Sequence, residues 1–379
     1  MYYKQFKGDR LSFLGMGNMR LPRLPSGGDD FRNVQIDYDK ANEIIDYAMA
    51  NGINYYDTSH IYGGSEEFLG QALSRYNRGD YRICTKYNTM GGPDFKANFE
   101  QQLKRLKTDY IDFYMIQAVL NDQSAQNYLD SGCMEFILEQ KEAGRIKHFG
   151  FSSHAPAKTL EWFVNAHEWE IAMIQINYFD WAFAGADEQY RVLTEKGIPI
   201  VAMEPARGGR LANLSDEAAA TLKNFRPEWS LASWAFRWLM GLPNMLVINS
   251  GMSTMDQIVD NVNTFETLAP LTIEETTVLE QVREQLKTEI AVPCTECRYC
   301  VEDCPAEIDI PEVMKAYNDL LLGSWATSGE IMAKLRSAEK TPTDCTACKT
   351  CIERCTQSID IPKIMEELSG RLRGTSRGR

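Results

Sequence analysis

Residues 53–76 read INYYDTSHIYGGSEEFLGQALSRY. The apolar, aromatic run INYYDTS has strand chemistry, a polar loop with two glycines follows, and SEEFLGQALSRY then sets apolar residues at helical spacing. That is one strand–loop–helix unit, and the alternation recurs on both sides of it. Seven further strand candidates are LSFLGMG or its neighbour, YRICTKY, YIDFYMIQ, KHFGFSS, AMIQINYF, IPIVAME and NMLVINS. Amphipathic runs such as YDKANEIIDYAMANG, ANFEQQLKRLKT, MEFILEQKEAGR and AKTLEWFVNAHE lie between them. Gly52, Gly144 and Gly197 stand where helices would end. Strands that are apolar nearly throughout, alternating with helices, predict a parallel sheet buried on both faces. Eight units in about 270 residues fit a closed (β/α)8 TIM barrel over residues 1–270. No strand is followed by G-x-G-x-x-G, which counts against an open dinucleotide-binding sheet. The first unit is the least marked: YYKQF-KGDR-LSFLG reads as a hairpin with Gly8 and Asp9 in its turn.

Such a barrel places its chemistry at the carboxyl ends of the strands. There the sequence offers Asp57, His60 and Tyr62 after the second strand, Lys86 after the third and Gln117 after the fourth. Ser152, Ser153 and His154 follow the fifth, Gln175 and Asn177 the sixth. Met203, Glu204 and Pro205 follow the seventh, Ser250 and Gly251 the eighth. A phenol is a poor acid near neutrality, with an unperturbed pKa of about 10. A neighbouring ammonium would lower that pKa, and a carboxylate would hold the ammonium in place. Asp57, Lys86 and Tyr62 could thus deliver a proton to a carbonyl oxygen. The same residue types equally allow Asp57 to cap a turn, Lys86 to join an ion pair and Tyr62 to pack. Segments 119–133 and 181–189 are expected to be loops that set specificity.

The last third carries another signature. Cys294, Cys297, Cys300 and Cys304 (CTECRYCVEDCP) form C-x2-C-x2-C-x3-C-P. Cys345, Cys348, Cys351 and Cys355 (CTACKTCIERCT) repeat that spacing at an offset of 51 residues. The offset also carries Ile308–Pro311 onto Ile359–Pro362 and Met314 onto Met365, so the unit is duplicated. The spacing suits 4Fe-4S cubanes, three cysteines of a tight loop reaching one cluster and the fourth turning to the other. The expected sets are Cys294, Cys297, Cys300 and Cys355 for cluster one, and Cys345, Cys348, Cys351 and Cys304 for cluster two. Zinc and disulfides are the alternatives; unbroken quartets with no histidine after His167 disfavour zinc. Pro305 follows the first quartet, whereas Thr356 follows the second.

The chain has 379 residues and a net charge of −13, which argues against nucleic acid or an anionic membrane as partner and suits one with a basic docking face. The opening MYYKQFKGDRLSFLG lacks a secretory h-region, and SLASWAFRWLMGL is short and broken by Arg237. Ten cysteines then read as ligands in a reducing compartment, with a cytoplasmic location expected. Cys84 and Cys133, outside the quartets, are expected to be buried thiols. Thr272 and Glu275 form a capping-box signature at the head of a linker helix over 271–292, which Pro293 closes. PEVMKAYNDLLLG and GEIMAKLRSAEK predict helices within a cluster domain over 293–370, and a basic tail covers 371–379.

Over residues 1–270 the chain resembles the aldo-keto reductase family, on D-T-S-x-x-Y-G-x-S-E, a strand ending in T-K, G-F-S-S, Q-x-N-Y and V-I-x-x-G-M. As a whole it is similar to members, among them those of anaerobes, that carry a C-terminal two-cluster 4Fe-4S extension, here of the mainly helical ferredoxin-like type. The resemblance implies an extended NADPH or NADH in the barrel and a catalytic tetrad of Tyr62, the general acid, with Lys86, Asp57 and Gln117. Gln117 stands where most members have histidine; it cannot titrate. Reduction of a C=C bond conjugated to a ketone is one activity associated with such departures. For the nucleotide the resemblance implies Ser152, Ser153 and Gln175 at the nicotinamide carboxamide, and Met203 and Pro205 beside the ring. It further implies Arg207, Gly208 and Gly209 at the pyrophosphate, and Ser250, Gly251, Gln257 and Asn261 toward the adenosine. Uncharged Ser250 and Gln257 weaken the expectation of NADP selectivity. His60 or His154 could replace the missing titrating group.

A cluster passes single electrons whereas nicotinamide exchanges a hydride. The expected function is reduction of a small-molecule carbonyl or enone, the clusters relaying electrons or serving structure. The alternatives are an electron-transfer module docking a redox partner such as ferredoxin, and a flavin-bridged ferredoxin:NAD(P) oxidoreductase, the loops after strands seven and eight being able to grip an FMN phosphate.

Overall fold

The computed structural model describes residues 1–25, 35–88, 94–289, 292–322 and 325–374. The chain falls into two compact units: Met1–Leu214 with Lys223–Thr276, and Ser215–Leu222 with Thr277–Arg379.

In the first unit, β1 (Tyr3–Phe6) and β2 (Asp9–Ser12) form the expected antiparallel hairpin. Its tip is Lys7–Gly8, both at positive φ. Asp9 lies outside the turn: it opens β2 opposite Phe6, and its carboxylate accepts from Arg82 Nε at 2.6 Å. Eight parallel strands then close a barrel: β3 (Leu14–Gly17), β4 (Tyr55–Asp57), β5 (Arg82–Tyr87), β6 (Ile111–Val119), β7 (Ile146–Ser153), β8 (Ile171–Gln175), β9 (Ile200–Met203) and β10 (Met245–Gly251), with β10 pairing back onto β3.

Phe6 and Leu11 of the hairpin pack with Tyr55, Phe113, Met115 and Val201 inside the barrel. Each such side chain contributes roughly 1.5–3 kcal/mol by leaving water. The hairpin therefore closes the amino end, and the carboxyl mouth is where a ligand can enter. Cys84 and Cys133 are fully buried, as their isolation from the quartets implied.

Two expectations about local structure change. The run AMIQINYF stops being strand at Gln175, because Asn177 Oδ1 accepts from Phe179 N (3.1 Å) and Asp180 N (2.8 Å) and caps the helix Tyr178–Phe183. Segments 119–133 and 181–189 are not plain loops: they contain the helix Asp122–Asp130 and the start of Ala186–Glu195.

Near the end of the first unit, Thr272 and Glu275 do form the capping box of the helix Ile273–Glu289, with reciprocal contacts of 2.8 and 3.2 Å. In the second unit the helices follow the cysteine repeat. The repeat is visible in the fold. Asp309 caps the helix Ile310–Leu322 as Asp360 caps Ile361–Gly374. Ile308, Val313 and Met314 share one core with Ile359, Met365 and Leu368. Among the described residues no helix is long and apolar enough to cross a membrane.

Candidate active site

Asp57 ends β4 and Lys86 lies one residue from the end of β5, both essentially buried at the barrel mouth. Lys86 Nζ donates to Asp57 Oδ1 at 2.5 Å and to the Thr58 carbonyl at 2.8 Å. Two amides of Asn18 in turn grip the Asp57 carbonyl, so the carboxylate sits on a fixed strand end. Tyr62, on the loop above, places its ring 5.2 Å from Lys86 Nζ. The structure thus brings Asp57, Lys86 and Tyr62 together.

Gln117 joins them through a bulge. Between the pairs Ile116–Phe151 and Val119–Ser153 the β6–β7 register shifts, with Ala118 at φ 60°. Ser152 Oγ accepts from Ala118 N at 2.9 Å and pins this extra residue. The bulge re-aims the side chain that precedes it. Ser59 receives a long contact from Ile61 N (3.4 Å) and donates its own proton to Gln117 Oε1 at 2.5 Å. That fixes the amide orientation, and Gln117 Nε2 donates to Tyr62 OH over a long 3.5 Å. The phenol's own proton remains to be given elsewhere.

The electrostatics differ from the expectation in one respect. Burial and then the Asp57 carboxylate push Tyr62 well above its usual range, so the lowering expected from Lys86 does not prevail. Desolvation leads, and the ammonium that could oppose it has its counter-ion attached 2.5 Å away. His154 supplies no neutral-pH titration. Burial lowers His60, and it lowers His154 to about 4.

The residues expected around a nucleotide are largely engaged within the chain. Ser153 Oγ donates to the Val119 carbonyl at 3.1 Å. Asn261 Nδ2 donates to Ser250 Oγ at 3.1 Å, and Gln257 Oε1 accepts from Ser253 N at 2.7 Å. Pro205 is buried; Met203, half-exposed, faces the barrel interior; Gly208, Gly209 and Gly251 leave backbone accessible. Arg207 is engaged in the wall of the barrel. It is fully buried, with Nε on Asp180 Oδ1 at 2.8 Å. Asp180 also accepts from Gln175 (2.8 Å) and Asn177 (2.6 Å), which makes it the hub of this wall. Sequence reading passed over it, since nothing local distinguishes Asp180 from a solvated helix carboxylate. Asp180→Ala should destabilise the fold by about 3–5 kcal/mol in urea titrations, because a buried guanidinium would lose its partner.

Cations come instead from beyond β3. A groove of about 660 Å³ is lined by Arg20, Arg23 and Lys40 together with Ser253 and Thr254, the latter capping the helix Met255–Thr264. Glu204, at φ 56°, ends the β9 wall with Oε2 enclosed and without a hydrogen-bond partner. Burial raises its pKa, which favours the neutral acid. The groove carries three cationic side chains against one carboxylate, Glu43, a balance that suits an anionic group.

In the second unit the cysteines assemble across the repeat. The neighbours that press on the buried Cys300 thiol are Cys297, Cys294 and Cys355, with Cys351 a weaker fourth. Burial and Cys348, Cys345 and Cys304 push Cys351 up to about 11. A cavity is lined by Cys304, Cys345, Cys348 and Cys351 with Pro305 and Ala306. Among the described residues no three His, Cys, Asp or Glu side chains converge on a point that one ion could fill. The thiols surround a space instead, and that arrangement fits a four-iron body.

A model of the aldo/keto reductase family matches residues 14–284, and a 4Fe-4S dicluster domain model matches residues 293–359. The chain belongs to the aldo/keto reductase family. This aldo/keto reductase is 32% identical over 212 residues to aldo-keto reductase str7 of Strobilurus tenacellus, covering 53% of the present chain and 60% of that protein. It is 28% identical over 258 residues to the uncharacterized oxidoreductase YqkF of Bacillus subtilis, covering 59% and 81%. Its fold matches the holo form of aldo-keto reductase AKR11C1 from Bacillus halodurans with a TM-score of 0.61 and 25% identity, over 74% of this chain and 96% of that one. The TIM-barrel oxidoreductase followed by a 4Fe-4S region is thereby established.

Proposed function

We propose that the barrel reduces the carbonyl of a small molecule, or the C=C bond of a conjugated enone, with Tyr62 as proton donor. The 293–370 domain holds two 4Fe-4S clusters that relay electrons or brace the fold. The Asp57–Lys86–Tyr62–Gln117 assembly at the barrel end opposite the hairpin carries this reading. NADH or NADPH, when bound, supplies the hydride. The chain's own residues do the rest. Asp57 pins the Lys86 ammonium under the Tyr62 ring, and Gln117 donates an N–H to the phenol oxygen, which leaves the phenol proton to face the mouth. Met203 is assigned to the nicotinamide face and the Gly208–Gly209 backbone to the pyrophosphate. Arg20, Arg23 and Lys40 take a phosphate of the adenosine end. A cytoplasmic site of action and a ferredoxin-type redox partner complete the proposal.

A titration of protein fluorescence with NADH and NADPH tests the cofactor half. Quenching with half-saturation between about 1 μM and 1 mM is expected for at least one of them, the usual range for enzyme substrates. The engagement of Ser153, Gln175, Arg207 and Gln257 inside the chain favours a second reading, an electron-transfer module that docks a redox partner and performs little barrel chemistry. Absence of quenching by either nucleotide would transfer the case to it.

Gln117→His replaces a non-titrating amide by an imidazole at the bulge. Simple aldehyde reduction should then rise by about 10²-fold in kcat/KM, the lower end of the general acid–base range. Unchanged kcat/KM with an intact fold would show that this position does not limit the reaction.

A further inference from the structure

The two halves of the cluster domain differ at one sulfur contact. Thr356 Oγ1 lies 3.8 Å from Cys297 Sγ. Once Cys297 is an iron ligand its sulfur carries no proton, so Thr356 must be the donor. Gln357 Nε2 donates to Thr356 Oγ1 at 3.3 Å, which occupies a lone pair and leaves the hydroxyl proton for the sulfur. At the equivalent place 51 residues earlier the chain has Pro305 and Ala306. Both line the cavity formed by Cys304, Cys345, Cys348 and Cys351, and neither side chain can donate a hydrogen bond.

Hydrogen bonds to cluster sulfurs stabilise the more negative, reduced state and raise the reduction potential. We infer that Thr356, oriented by Gln357, is a positioning residue that raises the potential of cluster one, a contribution cluster two does not receive from Pro305. The inference rests on the proposed cross-repeat ligation. Cluster two has donors of its own, Thr350 and Thr346 on Cys348. The claim therefore concerns the contribution of Thr356 and not the order of the two potentials.

The test is an EPR-monitored dithionite titration of the anaerobic full-length protein, with iron and acid-labile sulfide measured on each sample. Thr356→Val should shift one midpoint down by about 59 mV, equivalent to a tenfold change in the reduced-to-oxidised ratio for one electron, and leave the other in place. Thr356→Ser, which keeps the hydroxyl, should hold the original value. Pro305→Thr with Ala306→Gln should raise the other midpoint. If Thr356→Val does not assemble its clusters, Gln357→Met, which removes only the orienting amide, must lower the same midpoint. Two intact clusters with unmoved midpoints in these variants would overturn the role of Thr356. A natural protein holding fewer than two clusters would overturn the ligation reading beneath it, and iron content separates the two failures.

Discussion

Tyr62→Phe should reduce turnover of a carbonyl substrate by about 10²–10⁴-fold, the usual worth of a positioned proton donor, with the clusters' visible absorbance unchanged. The phenylalanine ring keeps the contact with Lys86 and the packing, and only the hydroxyl is lost. A structural role for Tyr62 would show as lowered stability, whereas a catalytic role shows in kcat with nucleotide binding kept. The pH profile supplies a second check. Activity requires the protonated phenol and is lost as pH rises through its pKa. Burial and the Asp57 carboxylate hold that pKa above its usual value. No alkaline decline from this group is therefore expected below about pH 10. Full turnover by Tyr62→Phe would remove the acid from the proposed mechanism.

Cys300→Ala and Cys304→Ala, four positions apart in sequence, should strike different clusters. Cys300 stands with Cys294, Cys297 and Cys355, whereas Cys304 lines the cavity of Cys345, Cys348 and Cys351. Each variant should lose up to about half the iron, and the residual EPR signals of the two should differ from one another. Identical residual spectra would mean that each quartet serves its own cluster. Both substitutions should also loosen the helices of the second unit. Cys300 and Cys351 belong to its hydrophobic core beside Ile308 and Ile359, and metal ligation couples to folding in small domains. Protease sensitivity within the 293–370 segment would report the loosening.

The barrel was legible because each strand is bounded by local signals: an apolar run on one side, a polar loop and helical spacing on the other. Asp57, Lys86 and Gln117 could be placed for the same reason, since strand ends of a barrel converge whatever the loops do. What escaped depends on tertiary contacts. Ser59 matters only because β6 bulges toward it, and Asp180 only because Arg207 folds inward over Phe179. The acidity expected of Tyr62 does not hold because residue types do not reveal burial, which outweighs an ammonium already paired with Asp57 at 2.5 Å. The end of β8 was misplaced because Asn177 has the neighbours of a strand and the side chain of a helix cap. The duplicated quartets, by contrast, carried their own geometry in their spacing.

Because Cys355 gathers with three thiols that precede it by more than fifty positions, cluster one would have to await synthesis of the second quartet. A ribosome that has made only the first quartet displays three sulfurs still lacking their closing partner and open to oxidation. Iron delivery to cluster one would then follow synthesis of Cys355, and a product terminated before it would forfeit that cluster even though its leading cysteines are all in place.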